Sequence, residues 1–339
     1  MGAHVVDREL EDLAVSARAA LVREIEASGA FAADPGWRAA FATVPRHLFV
    51  PYYYVSGGVS GGGCDRRWGE SPDPRTRERW VRGAYEDVPL ATRLRDGVLL
   101  SSSSQPSLMA LMLAELRVEG GDRVLEIGAG TGYNAALLSY RLGEENVTTV
   151  DLDPEITESA RRHLAAAGYR PAVVTGDGAR GVPERAPFDR IIATCTLTSI
   201  PRAWLAQCTP GALILAPLAT GLIALTVRDA GYGEGRFLPT AAYFVPLRGS
   251  ERPEPEPVEL AGVPRRAREN ELLRFLLALT RGTLDPQEAF ALWEREGRPG
   301  RERYGITVGA EHAWAWLDEP EGPYAWPLPG SSAPGLVEV

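Results

Sequence analysis

Glu126 stands two residues ahead of Gly128-Ala129-Gly130-Thr131-Gly132, and the apolar pair Val124-Leu125 leads into it. An acid followed by a glycine-rich turn at the end of a β-type run can hold a small polar ligand. Glycine lacks a Cβ, so the turn admits φ > 0 and brings a ligand against bare backbone. A dinucleotide fingerprint needs a third glycine five residues after the first, where this chain has Tyr133. A second acid, Asp151, ends the next apolar run, Val147 to Val150. A carboxylate there can accept both hydroxyls of an adenosine ribose. Thr175-Gly176-Asp177-Gly178 follows a third apolar run and is placed to meet an adenine. An acid for an ammonium, an acid for a ribose and a contact for adenine together describe S-adenosylmethionine (SAM). Each feature alone is equally a packing glycine or a solvated cap; all three in order on successive units favour the nucleoside.

The elements that must position these residues alternate. Asp122–Ile127, Val147–Asp151, Pro171–Thr175 and Phe188–Cys195 read as strands, with helices over Ala135–Leu142 and Pro154–Ala167 between the first three. Such alternation predicts a doubly wound, mostly parallel sheet, with ligand outside the strand carboxyl ends. Gly128, Asp151, Asp177 and Thr194 all fall there. Leu213–Leu218, Leu222–Val227 and Ala241–Pro246 continue as strands and suggest an antiparallel edge.

Ser101-Ser102-Ser103-Ser104-Gln105-Pro106 precedes an apolar helical run, Leu108 to Leu116. Proline in a first turn with a hydroxyl or amide ahead of it makes a sound helix start. Four serines there predict a row of hydroxyls and free N–H groups at the positive helix end, suited to a carboxylate. A flexible cap is the plainer alternative.

The 339 residues carry a formal net charge of −9, which disfavours nucleic acid and anionic membrane surfaces. No run approaches a membrane span and the N-terminus is polar, so a cytoplasmic setting is expected. Three cysteines and four scattered histidines show no metal spacing. His47 has nothing nearby in sequence to orient it and reads as structural. An amphipathic helix over 6–28 opens an N-terminal segment, 1–55. A glycine- and arginine-rich stretch, 56–80, predicts a mobile loop. The catalytic core spans 81–248, a Pro/Glu linker 249–265, and a small α+β accessory domain 266–339. That last part holds helices over Asn270–Thr280 and Pro286–Glu296 and a hairpin around Gly309-Ala310.

Several motifs in order resemble the protein-L-isoaspartate (D-aspartate) O-methyltransferase family. They are Val44-Pro45-Arg46 with Phe49-Val50-Pro51, Asp87-x-Pro89-Leu90, Ser102 to Pro106, the Glu126–Gly132 turn, Asp177-Gly178, Ala186-Pro187-Phe188-Asp189 and Phe244-Val245-Pro246-Leu247. The resemblance implies a class I SAM-dependent methyltransferase: an α/β doubly wound, seven-stranded sheet with an antiparallel edge, N-terminal helices and the C-terminal addition. It implies Ser104 and Ser102 as the catalytic pair. SAM and its product S-adenosylhomocysteine would contact Ser103, Glu126, Gly128, Ala129, Gly130, Asp151, Leu152, Asp177, Gly178 and Thr194. Ser101 and Val245 would hold a peptide or protein substrate carrying Asp or isoAsp, and no metal is required. A carboxylate is ionised at neutral pH, so transfer needs placement of one oxygen and exclusion of water rather than a general base. Ser102 and Ser103 replace the family's usual threonine and isoleucine. The C-terminal extension resembles actinobacterial members associated with ribosomally made peptides (lanthipeptides, graspetides). Those esterify an aspartate of an often cyclised precursor, and the ester closes to succinimide. General isoaspartyl repair is the alternative, a nicotinamide dehydrogenase is disfavoured by Tyr133, and a SAM-binding peptide scaffold without activity is the reading from another class.

Overall fold

The computed structural model describes residues 2–56, 64–95, 97–249, 260 and 262–328. They divide into two compact units, Met1–Gly176 and Asp177–Val339. The first unit opens with helices α1 (Gly2–Ala27) and α2 (Trp37–Thr43). Strands β1 (Tyr52–Ser56) and β2 (Cys64–Trp68) follow, then helix α3 (Pro74–Ala84) and strands β3 (Leu90–Arg95) and β4 (Val98–Ser103). These strands form a four-stranded sheet in the order β2-β1-β3-β4, antiparallel at each pairing. The stretch expected as one mobile loop is therefore largely structured. β1 and β2 form a hairpin in register from Tyr52↔Trp68 to Ser56↔Cys64, and the glycine-rich tip, 57–63, lies outside the described residues. Arg66 lies over the rings of Tyr52 and Trp68, at 5.5 and 5.1 Å, an arrangement that favours the hairpin despite its charge. α3 starts on a true cap: Pro74 opens it, and Asp73 accepts from the amides of Arg75 and Thr76.

The rest of the unit is α4 (Pro106–Glu115), β5 (Val124–Ile127), α5 (Tyr133–Leu142), β6 (Val147–Asp151), α6 (Pro154–Ala166) and β7 (Ala172–Thr175). β6 pairs in parallel with β5 on one side and β7 on the other. All residues of β5 and β6 are buried, as in strands covered on both faces, although Glu126, Thr148, Thr149 and Asp151 interrupt their apolar runs.

The second unit contains β8 (Phe188–Ala193), helix α7 (Arg202–Leu205), β9 (Cys208–Leu218), β10 (Gly221–Asp229) and β11 (Tyr232–Ala241). Helices α8 (Arg265–Arg268), α9 (Glu271–Leu279) and α10 (Pro286–Arg295) and strands β12 (Tyr304–Val308), β13 (Ala313–Leu317) and β14 (Ala325–Pro327) complete it. β8 and β9 are parallel, and β9 through β14 run antiparallel in chain order. The expected antiparallel edge is present. Its last strand is Tyr232–Ala241, not Ala241–Pro246, because Gly231, Gly233, Gly235 and Pro239 mask its β character. Nor do residues 266–339 stand apart: β12 hydrogen-bonds β11 from Gly233↔Val308 to Arg236↔Gly305. The C-terminal strands thus extend the antiparallel edge, β9 to β11, by three. The hairpin at Gly309 and the α10 cap at Asp285, with its capping box to Glu288, form as expected. Residues 250–259 and 261 of the proposed linker lie outside the described residues.

Candidate functional site

The serine row is not a helix cap. Ser101, Ser102 and Ser103 end β4, paired with Arg93, Ala91 and Leu90 of β3, so their side chains alternate. Ser101 and Ser103 point inward, 7% and 3% exposed. Ser101 Oγ accepts from Thr92 Oγ1 at 3.2 Å, and Ser103 Oγ accepts from Arg46 Nε at 3.3 Å. Ser102 and Ser104 are half-buried, and among the described residues neither commits its hydroxyl to a hydrogen bond. The strand therefore separates the expected set into a structural pair, 101 and 103, and an available pair, 102 and 104. The start of α4 is capped from a distance instead: Asp87 accepts from Ser107 N at 2.7 Å and from Gln105 Nε2 at 3.1 Å.

Arg46 holds this corner together, a role that sequence reasoning did not give it although it stands in the Val44-Pro45-Arg46 motif. It is fully buried and donates six hydrogen bonds, to Ser103 Oγ and to the carbonyls of Ala84, Glu86, Val88, Ser103 and Ser104. Burial lowers the guanidinium to about 10, partly offset by Tyr133 and Asp87, so it stays charged at neutral pH. The signal was present: an arginine between two prolines inside an apolar run needs a reason to be there. Its neighbour His47 is structural, bonded through Nδ1 to Tyr85 Oη at 2.8 Å.

The glycine turn is left-handed at Gly128 (φ 99°), Gly130 (51°) and Gly132 (87°), conformations that exact little from glycine alone. A Cβ on Gly130 would stand 3.5 Å from the Ser102 carbonyl, so the turn passes directly beside the serine strand. Gly130, Thr131 and Ser101 share an open cleft with Phe49, Thr92, Arg93 and His163. Tyr133, in place of the dinucleotide glycine, fills space: its buried ring packs at 5.5 Å from Phe49 and 6.2 Å from Phe41.

Glu126 departs from expectation. It is 1% exposed, inside β5 rather than open at the strand end. Oε1 accepts from Asn134 Nδ2 at 2.8 Å. Oε2 is buried without a hydrogen bond among the described residues, as are Asn134 Oδ1 and the hydroxyl of Thr149, its register partner on β6. Burial pushes the Glu126 carboxyl up to about 7; the Thr149 hydroxyl and the Asn134 amide pull it down, and the Asp151 charge adds to the rise. Asp151 accepts from Gly130 N at 3.2 Å and Asp153 N at 3.3 Å, so it braces the turn as well as ending β6. Leu152 follows it, 39% exposed. Ala129 is buried and its amide is spent on Val150 O.

In the second unit, Asp177 caps a short 3₁₀ turn by accepting from Ala179 N, and the Gly178 carbonyl takes Trp204 Nε1 at 2.8 Å. Thr194 follows the end of β8. Val245 does not offer its carbonyl, which accepts Thr196 N at 2.8 Å. Among the described residues no metal-ligating cluster occurs and no helix is long and apolar enough to cross a membrane.

Residues 75–251 match the family described as protein-L-isoaspartate(D-aspartate) O-methyltransferase (PCMT). The chain belongs to that family. It is similar to the protein-L-isoaspartate O-methyltransferase 1 of Anaeromyxobacter sp. (strain Fw109-5), 35% identical over 246 residues, 69% of this chain and 97% of that protein. A stretch of 136 residues is 42% identical to the Thermotoga maritima protein-L-isoaspartate O-methyltransferase, covering 40% of this chain and only 43% of that protein. A solved protein-L-isoaspartate O-methyltransferase superposes with a TM-score of 0.59 at 22% identity, covering 91% of this chain and 98% of its own. The fold is thus that of the class I SAM-dependent methyltransferases, and the chain is a SAM-dependent carboxyl methyltransferase. At 91% coverage the likeness also takes in part of residues 266–339.

The residues of the first unit fit SAM. A buried Glu126 carboxylate oxygen without a hydrogen bond among the described residues suits an ammonium, the positive-φ glycines leave backbone open, and exposed Leu152 beside Asp151 offers an apolar face next to a carboxylate.

Proposed function

We propose that the protein esterifies the free carboxylate of an isoaspartyl residue in a peptide or protein, with SAM as methyl donor. The observation that carries this is the alternation in β4, which leaves Ser102, and Ser104 just past the strand end, with uncommitted hydroxyls, on a strand whose Ser102 carbonyl lies beside the glycine turn. Bound SAM supplies an electrophilic methyl group. The two serines donate to the acceptor carboxylate and aim one oxygen; Arg46 fixes their backbone; Glu126 and Asp151 hold the donor's ammonium and ribose. Ser103 serves this geometry by locking the strand, and Ser101 does so while lining the cleft beside Gly130. Asp177, Gly178 and Thr194 take the adenine end by resemblance, and Val245, its carbonyl already used, meets peptide through its side chain or amide. No proton need be removed, because the acceptor is already ionised, and the contribution is positioning.

A second reading is that the acceptor is an ordinary aspartate of a modified, cyclised peptide, whose ester closes to succinimide in a reducing cytoplasm. The serines at 102 and 103, in place of the family's threonine and isoleucine, favour it. Incubation with SAM and matched isoaspartyl, aspartyl and cyclised aspartyl peptides separates the two. Fast turnover of the plain isoaspartyl peptide supports repair, and turnover of the cyclised aspartyl peptide alone would replace it with the second reading.

A further inference from the structure

The turn joining β9 to β10 is held from two directions. Ala219 takes φ 54°, a conformation that is costly for alanine. The next carbonyl, Thr220 O, accepts Ala242 N at 3.2 Å and Arg301 Nε at 3.2 Å. Ala242, 1% exposed, begins the segment 242–247, which is pinned further on by Val245 O to Thr196 N and by Leu247 N to Thr196 O. Between the pins Tyr243 stands 63% exposed. The C-terminal residues close over the turn: a Cβ on Gly221 would meet Phe275 Cε2 at 2.9 Å and Arg301 Cδ at 3.4 Å. Arg301 lies 5.4 Å over the Phe275 ring.

Arg301 is an expensive group in this place. It is 4% exposed, its Nη2 is buried without a hydrogen bond among the described residues, and its ion pair with the exposed Glu271 is long, at 4.0 Å. A buried charge so thinly compensated is a poor filler of space. Its direct product is the bond to the carbonyl that also anchors Ala242.

We propose that Arg301, backed by Phe275, is a positioning residue for peptide recognition: by clamping the 219–221 turn it sets segment 242–247, on which Val245 and Tyr243 meet the substrate. This rests on the proposed function, which gives Val245 of that segment to the peptide. It gives residues 266–339 a role in registering the core's own recognition segment rather than in binding a partner of their own.

The test uses the full chain and three variants, Arg301→Met, Arg301→Lys and Phe275→Leu. Amide hydrogen exchange is followed at 242–247, together with kcat and KM for an isoaspartyl peptide and SAM affinity. Loss of a charged donor predicts, for Arg301→Met, exchange at Ala242 and Leu247 faster by about tenfold and KM raised about tenfold, with kcat and SAM affinity within about twofold. Arg301→Lys recovers part of both, since an ammonium still reaches one carbonyl. Unchanged exchange at 242–247 overturns the proposal. So does faster exchange with unchanged KM, or protection lost equally across β9 to β11, which is what a merely structural arginine would give. If Arg301→Met does not fold, the other two variants carry the same comparison. If the unaltered protein methylates no isoaspartyl peptide, the proposed function fails, and selective loosening of 242–247 still decides the clamp.

Discussion

Glu126 should make cofactor binding depend on pH, if it holds the ammonium of SAM as proposed. Its carboxyl sits at about 7 because burial outweighs the Asn134 and Thr149 dipoles. With that value it is roughly one-tenth ionised at pH 6 and roughly three-quarters ionised at pH 7.5. If the ionised form receives the ammonium of SAM, affinity should tighten about eightfold between those two values, with proton release on binding near pH 7. The sign for stability runs the other way. A carboxyl that binds its proton more tightly folded than unfolded loses the folded state stability as pH rises from its unfolded value to about 7, by about 3 kcal/mol in all. Glu126→Gln should remove both slopes: SAM affinity weak and flat with pH, and thermal stability less sensitive to pH than in the unaltered protein. Calorimetry at pH 6 and 7.5, in two buffers of different ionisation enthalpy, reads affinity and proton release together. Equal affinity at both values, or an unaltered pH slope in Glu126→Gln, would refute the assignment.

Arg46→Met should lower stability by about 3 kcal/mol or more, since six acceptors, three of them in buried bonds, lose one donor group, and a urea melt reads the loss. Ser104→Ala should cut kcat/KM about tenfold to a hundredfold while leaving SAM affinity unchanged, and Ser102→Ala should do the same more weakly, as steady-state kinetics and a SAM titration would show. Tyr243→Ala should raise peptide KM at a cost to stability within about 0.5 kcal/mol, because its ring is largely in solvent.

Much of this was legible from residue order. The β5–α5–β6–α6–β7 run and the α10 cap follow from periodicity and turn chemistry that local sequence specifies. What escaped depends on neighbours distant in sequence. Four identical serines carry no alternation of their own, so only pairing with β3 reveals which two face inward. Tyr52 to Val55 was a strand signal overshadowed by the glycines after it, and β11 was hidden by its own glycines and Pro239. Arg46 gains its meaning from carbonyls 38 to 58 residues away. Glu126 was singled out as an acid open at the strand end, but it is 1% exposed, and that burial comes from packing that no spacing rule describes.

The most direct test of the account is a single-turnover reaction of the purified protein with methyl-labelled SAM and a peptide containing one isoaspartyl residue, set beside its aspartyl isomer. The account predicts one base-labile methyl ester on the isoaspartyl carboxylate, lost when Ser104 is changed to alanine. No transfer to that peptide, with SAM bound, would contradict it.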